Sequence, residues 1–424
     1  MKTYDSYKDS GIEWIGEIPN HWKAIPMRFL LRRRITDGPH ETPKFLPDGV
    51  PFLSVDGIQD GELVFEGCRK ISEEDHEKYK QKCVVEKHDI LMGKAASVGK
   101  VAQVKVDFEF SIWSPLALLK PNHDKITSAY FEYFLKSTYA KDNANILSTF
   151  NTQQNISMTD IPRIYYVIPN SVEEQTAIAN YLDCKTTEID ELIADKKRLL
   201  ELYEEEKSAV INQAVTKGLD PNSPMKDSGI EWLGEIPKHW EVKRVKHLFT
   251  SMNHIRIPLS ADERGKMNIR IYDYYGASGV IDKVEDFLFS EPLLLIGEDG
   301  ANLVTRNSRL SFIAKGKYWV NNHAHILKNR TGSLEYFCEL LELCDYTNWI
   351  TGSAQPKLTS ENLMNIQIVV PPEIEQYEIM NFLDIELLKI NKSISKTQKL
   401  IDLLTEYRTV LISEVVTGKV KVID

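Results

Sequence analysis

Apolar and polar positions along this chain follow two rhythms, and the longer one occurs twice. Residues 173–215 contain neither Pro nor Gly, and apolar side chains recur at Ile178, Leu182, Ile189, Leu192, Leu199, Tyr203 and Val210. That spacing keeps them on one helical stripe, interrupted by Lys185, Lys196 and Glu206, so it predicts a long helix with a coiled-coil seam. Residues 373–417 repeat the pattern through Ile379, Leu383, Ile390, Leu400, Leu404, Tyr407 and Leu411. Either each helix packs separately on its own globular part, or the two seams bury each other. The second arrangement is the expected one. The first helix leads into the next globular part and the second leads away from it, so the pair is expected to be antiparallel. At about 1.5 Å per residue, residues 178–215 make a strut of about 57 Å.

Outside the helices the runs are short and strand-like, at 50–55, 89–92, 115–119, 292–296 and 323–327, with helical stretches at 128–138 and 334–344. This mixture predicts two α+β heads. The chain divides into a head at 1–172, a helix at 173–217, a head at 218–372, and a helix with its tail at 373–424.

The two halves are copies. Residues 8–22 read KDSGIEWIGEIPNHW and residues 226–240 read KDSGIEWLGEIPKHW, identical at 13 of 15 positions. Glu174-Gln175, followed by Ile178, Asn180, Leu182 and Asp183, matches Glu375-Gln376, followed by Ile379, Asn381, Leu383 and Asp384. Between these ends the halves differ in length and wording. Two copies of one scaffold carrying different recognition loops would look like this, because loops tolerate length change and packed elements do not. Duplication followed by neutral drift is the alternative. Val215-Thr216-Lys217-Gly218 precedes the second copy and Val416-Thr417-Gly418-Lys419 closes the chain, which predicts a pseudo-circular arrangement with a pseudo-two-fold axis.

Composition adds constraints. The 424 residues carry a formal net charge of -10, of which -5 falls on residues 173–217 and -2 on residues 373–419. The heads are therefore close to neutral, with basic clusters at Arg28, Arg32, Arg33 and Arg34, at Lys94 and Lys100, and at Arg256, Arg264, Lys266 and Arg270. An acidic strut does not stop basic patches on the heads from meeting an anionic polymer. Five cysteines without a CxxC pair point to a reducing, cytoplasmic setting, and no apolar run is long enough for a membrane helix.

Catalytic signatures are missing. GKAASVGKV (93–101) departs from a phosphate-binding loop in the spacing of its glycines and in Val101, where Ser or Thr is needed. The Pro47-Asp48 pair has no acid-x-Lys triplet near it to complete a metal-dependent nuclease motif, Asp195-Lys196-Lys197 and Glu205-Glu206-Lys207 lie on the long helix, and no methyltransferase motif surrounds Pro371-Pro372. His323 and His325 have no Cys or His partner at metal-ligand spacing, so packing or hydrogen bonding is their expected role.

The paired KDSGIEW motifs, the GSAQPKLT stretch (352–359) with its counterpart TFNTQQNIS (149–157), the Glu-Gln pairs and the long helices occur in the same order in both halves. Together they resemble the specificity (S) subunits of Type I restriction-modification enzymes. The resemblance covers nearly the whole chain. It implies two target recognition domains, each reading one half of a bipartite double-stranded DNA sequence, with the two helices acting as a ruler. It also implies partners, namely two adenine-N6 methyltransferase (M) subunits and restriction/translocase (R) subunits. S-adenosylmethionine, ATP and magnesium are then expected on those partners, with no cofactor, metal or catalytic residue in this chain. Family loops point to Asp37, Gly38, His40, Thr42, Lys94, Ser97 and Lys100 as DNA-binding residues in the first head. In the second they point to Tyr275, Gly276, Ser278, Gly279, Asp299, Gly300, His323, His325, Gln355 and Lys357. Two other functions stay open: an orphan or regulatory DNA-binding protein without partners, and a self-sufficient nuclease or methyltransferase.

Overall fold

The computed structural model describes residues 2–150, 154–352 and 355–422. Gln153 and parts of the two stretches at 149–157 and 352–359 lie outside them. The chain forms two compact units, Met1–Lys197 with Gln398–Asp424, and Arg198–Thr397. The division falls in the middle of both long helices, Val172–Lys217 and Glu373–Val416, so each unit owns one half of each.

Each unit is built on one plan. In the first, a four-stranded antiparallel sheet runs in the order Val101–Gln103, Ile90–Gly93, Leu116–Leu119, Thr36–Asp37. In the second the order is Ser311–Ala314, Leu293–Gly297, Ala324–Asn329, Phe249–Ser251. Beside it lies a three-stranded sheet with one parallel pairing, Ser111–Ile112 on Val50–Leu53 in one unit and Tyr318–Val320 on Tyr272–Gly276 in the other. The diverged middles thus share a topology that their sequences hide.

The larger sheet divides two cores, which explains its unbroken apolar runs. Ile90, Met92, Ala117 and Leu119 face the core around Trp22, while Leu91, Leu116 and Leu118 face a second core with Leu53 and Ile112. Leu294 and Ile296 against Leu293 and Leu295 make the same division in the second unit. A strand covered on both faces needs no polar alternation.

The repeated motifs are the fastening of each unit. Fully buried Trp22 donates its indole N–H to Glu174 (3.0 Å), and Trp240 does the same to Glu375 (3.1 Å). Gln175 accepts from Thr127 N–H and donates to the Lys125 carbonyl, and Gln376 accepts from Ser333 N–H and donates to the Pro371 carbonyl. The KDSGIEW segments are hairpins, Tyr7–Asp9 with Glu17–Pro19 and Met225–Asp227 with Glu235–Pro237. The glycines that end the long helices have positive φ, 77° at Gly218 and 75° at Gly418, and a Cβ there would press on Trp240 or on Pro19 and Trp22. Only glycine suits both the left-handed cap and the contact.

These contacts set helix direction inside each unit. In the first, the start of one helix (Glu174) and the end of the other (Gly418) meet at Trp22, while Arg408 donates to Asp190 (3.0 Å) further along. The paired segments therefore run antiparallel. In the second unit Gly218 and Glu375 meet at Trp240. The ends close as the repeat implies, with Lys421 N–H donating to the Lys2 carbonyl (2.9 Å). Tyr130 donates to the Val416 carbonyl just as Tyr336 donates to that of Val215.

The seam needs a correction in register. Ile178, Leu182, Ile189, Ile379, Leu383, Ile390 and Leu411 are buried, and Leu199, Tyr203, Val210 and Leu404 are half-buried. Leu192, Leu400 and Tyr407, expected in the seam, are exposed, and the inward positions beside them are Ile193 and Ile401. Leu192-Ile193 and Leu400-Ile401 are adjacent apolar pairs, and the repeat alone does not choose between their members. The inward-facing positions 390, 394, 397, 401 and 404 alternate four and three residues apart, the seven-residue spacing of a coiled-coil seam.

Candidate nucleic-acid interface

In each unit the loop that follows the central strand of the larger sheet meets a hairpin from near the helix. In the first unit Ile156 N–H donates to the Lys94 carbonyl (2.9 Å) and Ala96 N–H to that of Gln154 (3.1 Å). In the second, Leu358 N–H donates to the Glu298 carbonyl (2.8 Å) and Gly300 N–H to that of Pro356 (3.1 Å). These bonds pair Lys94 with Glu298, Ala95 with Asp299, and Ala96 with Gly300 as equivalent positions. The same scaffold point carries opposite charge in the two units.

Each charge is neutralised by its own neighbours. The carboxylate of buried Asp37 takes Lys82 (2.6 Å) and Lys94 (3.2 Å), with His40 at 3.1 Å on its exposed side. Burial works against the Asp37 charge, but the lysine hydrogen bonds outweigh it and hold the carboxyl below its ordinary pKa. Glu298 is likewise buried, and Arg256, with Lys357 at 3.3 Å, keeps its carboxyl below the ordinary value. His325 is enclosed beside it: Nε2 donates to the Leu358 carbonyl (2.8 Å), and Nδ1 accepts from Asn253 (2.9 Å). Burial lowers its pKa and the ring is neutral. With both nitrogens engaged, His325 supports the loops from below.

The remaining candidates divide by position. Gly38 passes so close to the strand at 111–112 that a Cβ would lie 1.8 Å from the Ile112 carbonyl oxygen, so its role is close packing. His40 and Thr42 are exposed, Ser97 is half-buried, and Lys100 is exposed with its ammonium donating to the Ile58 carbonyl. In the second unit half-buried Tyr275 stacks on Phe312 and meets Tyr318 edge-on. Gly276 is buried, Ala277 and Ser278 form the hairpin turn, and Gly279 opens the next strand; the turn lies against Gly297, where a Cβ would sit 2.8 Å from the Ala277 carbonyl oxygen. Asp299 binds Nδ1 of half-exposed His323 at 2.8 and 2.9 Å, and Gln355 and Lys357 are exposed on the hairpin, the Lys357 ammonium beside Glu298.

Sequence reasoning overlooked Lys78, Tyr79 and Lys82, which with Asp37, Gly38 and His40 line a cavity of about 420 Å³. They sit on or just after a short helix, Glu73–Lys80, whose charge reads as a solvated face. Arg33 and Arg34 are exposed and unpaired among the described residues, as phosphate-contacting side chains would be. A group with metal-like spacing, the His76 imidazole with the Glu77 and Glu109 carboxylates, already holds the ammonium of Lys80, 3.0 Å from Glu77 and 2.9 Å from Glu109.

The profile described as the Type I restriction modification DNA specificity domain matches twice, over residues 41–202 and 237–401. The chain belongs to this family. Each match runs from the body of a unit into the long helix that follows it. A putative type I restriction enzyme specificity subunit of Haemophilus influenzae is 30% identical over 34% of this chain and 36% of its own length. The putative MjaX specificity subunit of Methanocaldococcus jannaschii is 29% identical over 54% and 52%. The StySPI specificity subunit of Salmonella potsdam is 27% identical over 51% and 47%. The chain thus spans about a third to a half of the length of these curated relatives. Two solved structures share the fold over 95% of the chain: one from a study of complex assembly in the type I R-M system, with a TM-score of 0.68 and 11% identity, and the HsdS subunit of Thermoanaerobacter tengcongensis, with 0.55 and 13%.

Proposed function

We propose that this specificity-family chain is the non-catalytic, DNA-reading subunit of a cytoplasmic Type I restriction-modification complex. Each unit reads one half of a bipartite, asymmetric double-stranded target, and the long helices set the gap between the halves. The chain scaffolds two methyltransferase subunits and the restriction/translocase subunits, which carry S-adenosylmethionine, ATP and magnesium. One observation carries this reading: a single scaffold occurs twice, with chemically opposite groups at the same loop position, Lys94 in one unit and Glu298 in the other. Identical loops would read identical half-sites; these do not.

The exposed candidates then divide the work, with His40, Thr42, Ser97, Ser278 and Gln355 at base edges and Lys100, Lys357, Arg33 and Arg34 at phosphates. Buried Asp37, Lys94, Glu298 and His325 hold the loops that present them. The test is reconstitution. The purified chain alone should neither methylate nor cut DNA, and with its methyltransferase subunits it should confer methylation at one bipartite motif. Methylation or cleavage by the isolated chain refutes the proposal.

A further inference from the structure

The Asp299–His323 pair occurs in the second unit alone. Asp299 corresponds to Ala95, and because Glu298 N–H donates to the His323 carbonyl as Lys94 N–H does to that of Pro115, His323 corresponds to Pro115. Neither Ala95 nor Pro115 can supply a polar side chain. The second unit has therefore placed an imidazole and a carboxylate where the first has apolar groups, on a loop edge beside the hairpin that carries Gln355 and Lys357.

The geometry fixes how that imidazole is presented. An ionised carboxylate only accepts, so Nδ1, at 2.8 and 2.9 Å from the two Asp299 oxygens, is the nitrogen that carries hydrogen. A neutral ring then offers a lone pair at Nε2. Nε2 has no hydrogen-bond partner among the described residues, and the side chain is 49% exposed. The backbone is held as well, since His323 N–H donates to Asn321 Oδ1 (2.8 Å). The ring is thus a fixed acceptor pointing away from its anchor.

On a DNA duplex an acceptor has few partners. Phosphate oxygens accept only, and in the major groove the donors are the exocyclic amino groups of adenine N6 and cytosine N4. We infer that His323 determines specificity in the second half-site by accepting a hydrogen bond from the exocyclic amine of one base, adenine or cytosine, with Asp299 as the positioning residue that fixes its tautomer. This rests on the DNA-reading function proposed above.

The experiment uses the full chain with its methyltransferase subunits and maps methylated motifs by long-read sequencing for wild type, His323→Ala, His323→Gln and Asp299→Ala. Complex assembly and thermal melting verify folding. In His323→Ala, discrimination at one adenine or cytosine position of the second half-site should fall roughly 5- to 150-fold, with the first half-site and the gap unchanged. Asp299→Ala should relax the same position, because the ring can then take either tautomer. His323→Gln, which keeps an acceptor, should restore part of the preference. The inference is overturned if every assembled variant reads the wild-type motif, or if the first half-site changes instead. It is also overturned if affinity falls equally for all sequences with a shallower salt dependence, which marks a phosphate contact. A wild-type chain that confers no bipartite motif would instead sink the functional proposal itself.

Discussion

Removing the carboxylate that receives each buried tryptophan should cost the two units different amounts. Glu174 accepts from the Trp22 indole (3.0 Å), the Tyr4 hydroxyl (3.1 Å) and His21 Nε2 (3.0 Å). Glu375 accepts from the Trp240 indole (3.1 Å) and His239 Nε2 (2.8 Å), and Asn222 stands where the first copy has Tyr4. Both histidines are about half exposed and can turn to water, so their loss adds little. The buried donors cannot. Each orphaned donor costs about 1–3 kcal/mol, so Glu174→Ala, which strands two, should destabilise its unit by about 2–6 kcal/mol. Glu375→Ala strands one and should cost about 1–3 kcal/mol. The Glu375 side chain is also the more exposed of the two, 22% against 9%, which lets water reach the gap and favours the lower end. Because a two-unit chain need not unfold in one step, the suitable assay is hydrogen exchange resolved by peptide, comparing protection around residues 15–30 and 233–248. If Glu375→Ala costs as much as Glu174→Ala, or if neither exceeds about 0.5 kcal/mol, the latch does not work by satisfying buried donors.

Further outcomes are expected. Tyr166 is wholly buried against Phe131 and Phe134 and its hydroxyl has no hydrogen-bond partner among the described residues, so Tyr166→Phe should leave stability unchanged or raise it by about 1 kcal/mol in denaturant unfolding. Ala96 has φ 64° where the second unit has Gly300, so Ala96→Gly should relieve about 1 kcal/mol of left-handed strain, read as a higher melting temperature. His325 is neutral when folded and its pKa lies below that of the unfolded chain, so acid favours unfolding: stability of the second unit should fall from pH 7 to 5 in denaturant titrations, and His325→Gln should flatten that slope. The depressed carboxyls of Asp37 and Glu298 act at lower pH, their contribution vanishing as pH falls through their folded pKa values. Inserting four residues into both long helices, about 6 Å, should change the gap between methylated half-sites and leave both readable, whereas exchanging residues 23–150 for those of another family member should alter one half-site only; an unchanged gap refutes the ruler.

Much of the architecture was legible because its causes are local or repeated. The helices show as long stretches free of Pro and Gly, and the fastening residues as the identical Trp and Glu-Gln positions of both copies. The short strands came close to their observed bounds because each is a continuous apolar run, as at Leu293–Gly297. The seam was placed one residue off at Leu192 and Leu400, since each stands next to an isoleucine, Ile193 and Ile401, and only a packed neighbour chooses between two adjacent apolar residues.

What the chain by itself determined was a duplicated α+β scaffold with two long helices and without a catalytic motif. Tertiary structure alone decided which loops meet, and so gave Lys94 and Glu298 the same place with opposite sign, joined Lys82 to Asp37 across 45 positions, and turned His325 inward while leaving His323 facing out. The reason is physical. Periodicity and identity are properties of neighbouring residues, whereas a buried charge is tolerable only beside a partner that the fold brings to it from elsewhere in the chain.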